Sequence, residues 1–104
     1  MNDKLMSMLG LCRRAGKLTL GNDAVIDSIN LRKSKLVLLA DDCSENTAKA
    51  VLRKAHQSNV HAYVIAYTKD DISYAVGKFT AVLSINDNGF AKSVEKLICS
   101  LKED

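Results

Sequence analysis

Apolar positions along this chain switch repeatedly between a helical spacing and a strand spacing. Leu5, Met8, Leu9 and Cys12 recur every three or four residues, which predicts a first helix behind an Asn2 cap and stopped at Gly16. Lys17 to Leu20 reads as a short strand. Asn22 is the expected cap of a second helix that buries Val25, Ile26 and Ile29. Lys35 to Ala40 is a continuous apolar run, the pattern of a strand covered on both faces. Ser44 caps a third helix with Ala48, Val51, Leu52 and Ala55 inward, and Val60 to Ala66 is a second buried strand. Thr68 followed by Asp71 forms a capping box for a short fourth helix that ends near Gly77. Ala81 to Ile85 is a strand and Asn86 to Gly89 a turn. Phe90, Val94, Leu97, Ile98 and Leu101 then make the core stripe of a last helix.

Regular alternation of helix and strand implies an α/β protein: a three-layer α/β/α sandwich around a four-stranded mixed sheet. With no proline, repeat or linker in 104 residues, a single domain spanning 1–104 is expected. In such folds ligands meet loops at one end of the sheet. The loops in question are Gly21 to Asp23, Asp41 to Ser44, Tyr67 to Lys69 and Gly77 to Thr80.

Composition narrows the function classes. Fifteen basic and twelve acidic residues give a net charge of only +3, too small to argue for a polyanion partner by itself. Its distribution matters more. Up to Ala40, Lys4, Arg13, Arg14, Lys17, Arg32, Lys33 and Lys35 outnumber Asp3, Asp23 and Asp27. The three cysteines lack any C-x-x-C pair, so reduced and mostly buried thiols are expected, with neither a disulfide framework nor a zinc site. The N-terminal residues are too acidic for a signal peptide, and no apolar run nears the ~20 residues of a membrane span. A soluble, cytoplasmic protein with no membrane partner is the expectation.

Few motifs carry chemistry. Gly21-Asn22-Asp23 opens into a helix, where unpaired N–H groups favour anions, with Arg13, Arg14 and Lys17 before it and Arg32, Lys33 and Lys35 after the same helix. Lys78 beside Phe79 offers a cation and a stacking ring on one loop. Asp41 and Asp42 end the most apolar strand and form a carboxylate pair of the kind that holds Mg²⁺. The remaining parts of a phosphoryl-transfer site, a P-loop or an acid at the end of the next strand, are missing from the sequence. His56 and His61 fall on a helix and a strand with no third ligand near, so neither metal nor cofactor is expected. Cys43, just before a helix N-terminus, occupies a position that lowers a thiol pKa.

The segments LGLCRRAGKLTLGNDAV, KLVLLADDCSENTAKAV, AVGKF and NDNGFAKSV, in this order over nearly the whole chain, resemble the kink-turn RNA-binding superfamily of ribosomal proteins. That group includes the L-seven-Ae and L-thirty-e proteins, and the resemblance is greatest to its bacterial YlxQ-like branch. It implies an α/β/α sandwich that binds structured RNA, ribosomal RNA above all, through the loop and first turn of the second helix. In the family an Asn-Glu pair and a Lys one turn later contact the sheared G·A pairs. Those positions fall on Asp23, Ala24 and Asp27 here, and the sequence departs from the pattern at all three. The acidic position that meets an extruded base is retained as Asp41.

The combined expectation is a non-catalytic RNA-binding protein. Arg13, Arg14, Lys17 and Lys35 neutralise phosphates in this reading. Gly21, Asn22 and Asp23 approach the backbone closely, Asp41 meets a base, and Lys78 and Phe79 bind by charge and stacking. Two alternatives stay open on sequence alone. One is an adaptor for ribosomal or other proteins on the same scaffold; the other is a Mg²⁺-dependent phosphate-handling enzyme that uses Asp41 and Asp42.

Overall fold

The computed structural model describes residues 4–102, with side chains to Ser100. Asn2 and the side chain of Leu101 therefore lie outside the described residues. In chain order the elements are α1 (Lys4–Arg14), β1 (Leu18–Leu20), α2 (Asn22–Asn30), β2 (Leu36–Leu39), α3 (Glu45–Gln57), β3 (Ala62–Val64), α4 (Lys69–Val76), β4 (Val82–Ile85) and α5 (Asn88–Lys102). The alternation read from the sequence is present throughout, but every strand is shorter than its apolar run. Ala40 and Ile65 still donate across the sheet, to Ala81 O and Leu39 O, at the margins of the ladder. β3 is a half-buried edge strand with Val64 exposed and not the buried strand that its apolar run predicts, because only one side of it has a neighbour. α5 begins inside the expected turn. Asp87 caps it, accepting the Phe90 N–H on Oδ2 at 2.9 Å and the Ala91 N–H on its carbonyl at 2.9 Å.

The strands lie in the order β1-β4-β2-β3. β4 runs antiparallel to both β1 and β2, while β2 and β3 are parallel. So β1, β2 and β3 point one way and β4 points back. The C-terminal ends of the first three strands and the start of β4 gather at one end, called the upper end below. The starts of those strands and the end of β4 form the base.

Side-chain alternation along the sheet divides the core in two. Leu36 and Leu38 of β2 and Leu83 and Ile85 of β4 meet α1, α4 and α5 through Leu5, Leu9, Cys12, Ile72, Val76, Val94 and Ile98. Val37, Leu39 and Val82 meet α2 and α3 through Val25, Ile29, Val51 and Ala55 on the other face. All four β2 side chains are buried, which explains the unbroken apolar run. Burial contributes about 1.5–3 kcal/mol for each such aliphatic side chain. α3 and α4 start as their caps predict: Ser44 Oγ accepts the Thr47 N–H, and Thr68 and Asp71 form a reciprocal capping box.

On the α2 face the base of the sheet is held by polar contacts. Asn86, just after β4, accepts from Ser28 Oγ at 3.0 Å on Oδ1 and donates Nδ2–H to Thr19 Oγ1 at 2.6 Å. Ser84 Oγ lies 2.9 Å from the same Asn86 oxygen and 2.6 Å from Ser34 Oγ. Ser84 and Ser34 are buried, so these bonds have no water to replace them. Asn86→Ala therefore lowers the unfolding free energy by about 1–3 kcal/mol, measured by urea denaturation, because it takes the Asn86 acceptor from the buried Ser28 hydroxyl and one of the two bonds from buried Ser84.

The edge strand is clamped to α5 by Glu95. Tyr63 O–H donates to Glu95 Oε2 at 2.5 Å, and His61 Nδ1 bonds the same oxygen. The Tyr63 bond holds the Glu95 carboxyl below its usual range. Partial burial opposes the shift and His61 adds to it. Acceptance by the carboxylate also pushes the Tyr63 phenol up. A carboxyl whose folded pKa is depressed stabilises the fold above its unfolded pKa and loses that contribution as pH falls through the folded one. Acidification below the ordinary glutamate range thus costs the wild type stability that Glu95→Gln does not lose. Urea midpoints measured across acidic pH check this through their slopes.

Candidate nucleic-acid interface

Sheet topology brings all four candidate loops to the upper end. Gly21 is the N-cap of α2 at φ 102°, ψ 151°, a conformation reserved for glycine. Its N–H donates to Val82 O at 3.0 Å and its carbonyl accepts the Val25 N–H at 2.9 Å, so the β1–α2 turn is tied directly to β4. This corrects one expectation. Asn22 does not cap α2; it is the first helical residue, because the glycine turn starts the helix one position earlier with no side-chain cap. Asn22, Asp23, Ala24 and Asp27 are all exposed. Asp23, Ala24 and Asp27, the positions that the resemblance assigns to base contact, are thus on the surface of α2.

The neighbouring loops interlock. Ala40 N–H donates to Ala81 O at 2.8 Å and Asp41 N–H to Tyr67 O at 2.9 Å. Asp42 Oδ1 accepts the Lys69 N–H at 2.9 Å, placing a carboxylate on the N-terminus of α4. Asp41 stays exposed. With Asp42 bound to a backbone amide, the pair is not gathered as a metal site. Among the described residues no group of three His, Cys, Asp or Glu side chains is arranged to hold an ion. Lys69 Nζ lies 5.6 Å from the centre of the Phe79 ring. Phe79 is 58% exposed and does not fold into the core. Next to it Thr80 is buried, donating Oγ1–H to Val82 O at 2.8 Å, which fixes the loop behind the ring.

The basic residues go elsewhere. Lys17 and Lys35 stand at the starts of β1 and β2, at the base, where Lys17 O accepts the Asn86 N–H and Lys35 N–H donates to Ile85 O. Arg13, on the last turn of α1, and Arg32 and Lys33, after α2, are exposed at the same end. Arg14 lies apart from them, lining a groove between α1 and α4 with Leu11, Asp71 and Tyr74. The residues expected to act together therefore form two groups separated by the length of the strands. Gly21, Asn22, Asp23, Asp41, Lys78 and Phe79 are above; Arg13, Lys17 and Lys35 are below. Charge is sorted accordingly. The upper loops and first helical turns carry Asp23, Asp41, Asp42, Glu45, Asp70 and Asp71 against Lys69 and Lys78.

Two further residues matter here. Lys69 enters the sequence reading only as the end of the Tyr67–Lys69 loop, with no role assigned to its charge. Its place at the first position of α4 is readable from the Thr68 cap, but its position over Phe79 depends on the sheet order. Cys43 departs from expectation. Burial pushes its thiol up; nearby Lys69 offsets only part of this, and Asp42 adds to the rise. Among the cysteines Cys12 alone is fully buried, with its pKa pushed up to about 11 by burial and by Asp87; Cys43 is half-buried and Cys99 exposed.

Known proteins share both sequence and fold with this chain. An RNA-binding protein YlxQ of Enterococcus faecium is 40% identical over 95 residues, covering 91% of each chain. An RNA-binding protein YlxQ of Bacillus subtilis (strain 168) is 37% identical over 92 residues, covering 88% of this chain and 91% of that protein. The solved structure of a protein with unknown function from Bacillus halodurans C superposes with a TM-score of 0.90 at 28% identity, covering 94% of this chain and 99% of that one. Residues 3–95 match the profile of the Ribosomal protein L7Ae/L30e/S12e/Gadd45 family, and the chain belongs to that family.

Proposed function

We propose that this protein is a non-catalytic RNA-binding protein of the cytoplasm, with residues 1–104 acting as one domain on structured RNA, ribosomal RNA above all. Family membership and the RNA-binding names of its relatives support this reading. The observation that carries it is the arrangement of the upper end, where a solvent-exposed aromatic ring stands on a braced loop beside a glycine turn. Phe79 supplies a face for an unstacked base, while Lys69 and Lys78 supply charge to its phosphate. Gly21, with no Cβ, lets the sugar-phosphate backbone come close, and Asn22 offers an amide there. Asp41 accepts from the amino group of an extruded base, and Asp23 sits beside it. Arg13, Arg14, Lys17 and Lys35 contact phosphates outside this reading head.

With Asp23, Ala24 and Asp27 in place of an amide, a carboxylate and an ammonium, sheared G·A pairs lose their specific partners. The protein therefore binds kink-turns with little preference over other structured RNAs that expose a base. Filter binding across a salt series, on a kink-turn RNA and on an unkinked stem-loop, tests the reading. Saturable binding to both is expected, with log K falling linearly against log salt. Phe79→Ala weakens binding to RNAs with an unpaired base by about 1–3 kcal/mol. Absence of binding to every structured RNA offered overturns the proposal.

A further inference from the structure

The base of the sheet carries features that a purely structural end does not need. A cleft of about 610 Å³ opens there between the C-terminal ends of α2 and α3, lined among others by Asn30, Arg32, Lys35, Asn59 and Asn88. Both helix ends close with a non-glycine residue in the left-handed region, Arg32 at φ 61° and Asn59 at φ 58°. Asparagine tolerates that conformation; arginine is disfavoured there, and glycine is the usual occupant. The caps are otherwise regular. Arg32 N–H and Lys33 N–H donate to Ile29 O and Ser28 O, and Asn59 N–H and Val60 N–H donate to His56 O and Ala55 O. A strained arginine in a position suited to glycine places a guanidinium at the rim of the cleft.

The chemistry of the cleft is mixed in a specific way. Its floor forms where two helix C-termini end: the caps use the carbonyls of Ser28, Ile29, Ala55 and His56, Lys35 Nζ lies 3.5 Å from Arg32 O, and the negative ends of both helices face the same region. Such a floor repels a small anion entering bare, but accepts hydroxyl donors. Asparagine amides beside it donate and accept. Cations stand around the rim and beyond it. Lys17 and Lys35 flank β4, so their backbones are two strand spacings, about 10 Å, apart. The acids near this end are engaged or set back: the Asp87 carboxylate accepts the Phe90 N–H, Glu95 is held by His61 and Tyr63 at the foot of β3, and Asp27 lies on the surface of α2 a turn before its end. Uncharged hydroxyl-binding groups framed by spaced cations match a ribose-phosphate backbone, with phosphates outside and 2′-hydroxyls inside.

We propose that the base of the sheet is a second RNA surface, centred on Arg32 and Lys35, that binds the sugar-phosphate backbone of a paired RNA segment while the acidic upper end takes an unpaired base. It rests on the RNA-binding reading above and adds where the electrostatic part of binding resides. The two ends face opposite ways on a body of 33 × 29 × 28 Å, so they engage separate segments of RNA.

Fluorescence anisotropy with a fully paired RNA duplex, which has no base to stack, isolates this surface; a kink-turn RNA serves as the second probe. Arg32→Gly combined with Lys35→Gln removes both charges, and the glycine keeps the left-handed cap, so thermal melting is expected at or above the wild-type temperature. The wild type binds the duplex, and the double variant binds it about tenfold more weakly. The slope of log K against log salt shrinks by about one for each phosphate that the variant no longer neutralises. A double variant with wild-type affinity and slope overturns this surface, as does a wild type that binds the kink-turn RNA but not the duplex; in both cases the RNA-binding reading stands. Failure of the wild type to bind either RNA overturns the RNA-binding reading and this surface with it.

Discussion

The pairing of β4 between β1 and β2 is the constraint on which the rest of this structure depends. It runs against its neighbours, and its two ends hold the two ends of the molecule. Above, Val82 O and Ala81 O accept from Gly21 and Ala40, fixing the glycine turn and the start of the acidic loop. Below, Ile85 O accepts from Lys35, and Asn86 donates its N–H to Lys17 and binds Thr19 and Ser28 through its side chain. A shift of one residue in this register would turn Leu83 and Ile85 from the α1 core to the α2 side and bring Val82 and the buried Ser84 round in exchange. Hydrophobic alternation and the Asn86 contacts therefore specify the same alignment.

That alignment also sorts charge. Because three strands point up and one points down, every helix-opening loop after β1, β2 and β3 lies above, and helix N-termini favour acidic residues. Asp23, Glu45, Asp70 and Asp71 are the result, with Asp42 adding a bond to the Lys69 amide. The last turns of α1 and α3 lie below, and they carry Arg13 and Lys54. Part of the polarity is thus ordinary helix electrostatics. The exposed Phe79, and an arginine in the left-handed cap of α2, are not required by it.

Much of the fold was legible in local patterns. Ser44, and Thr68 with Asp71, mark their helix starts because capping is a contact within a few residues. The doubly covered strand showed as the LVLL run because burial on both faces leaves no polar alternation. The failures were also local. Asn22 looked like a cap, yet Gly21 took that role through a bond to Val82, a residue far along the chain. Cys43 sits just before a helix N-terminus, a position that favours the thiolate, yet burial by residues distant along the chain pushes its thiol up. The site was legible as a set of residue types and not as a place: Arg13, Lys17 and Lys35 read as neighbours of Gly21 in the chain and stand at the other end of the sheet.

The sequence by itself determined the order of elements, the caps of α3 and α4, the two-faced burial of β2 and the family resemblance, since each is written in contacts between residues close along the chain or in short motifs. Tertiary structure alone decided strand order and direction. Pairing between β4 and its neighbours joins residues distant along the chain, such as Leu18 with Ile85 and Leu39 with Val82, and no local pattern encodes it. From that pairing follow the cation over Phe79, the cleft between the ends of α2 and α3, and the separation of an acidic end with an exposed ring from a basic one.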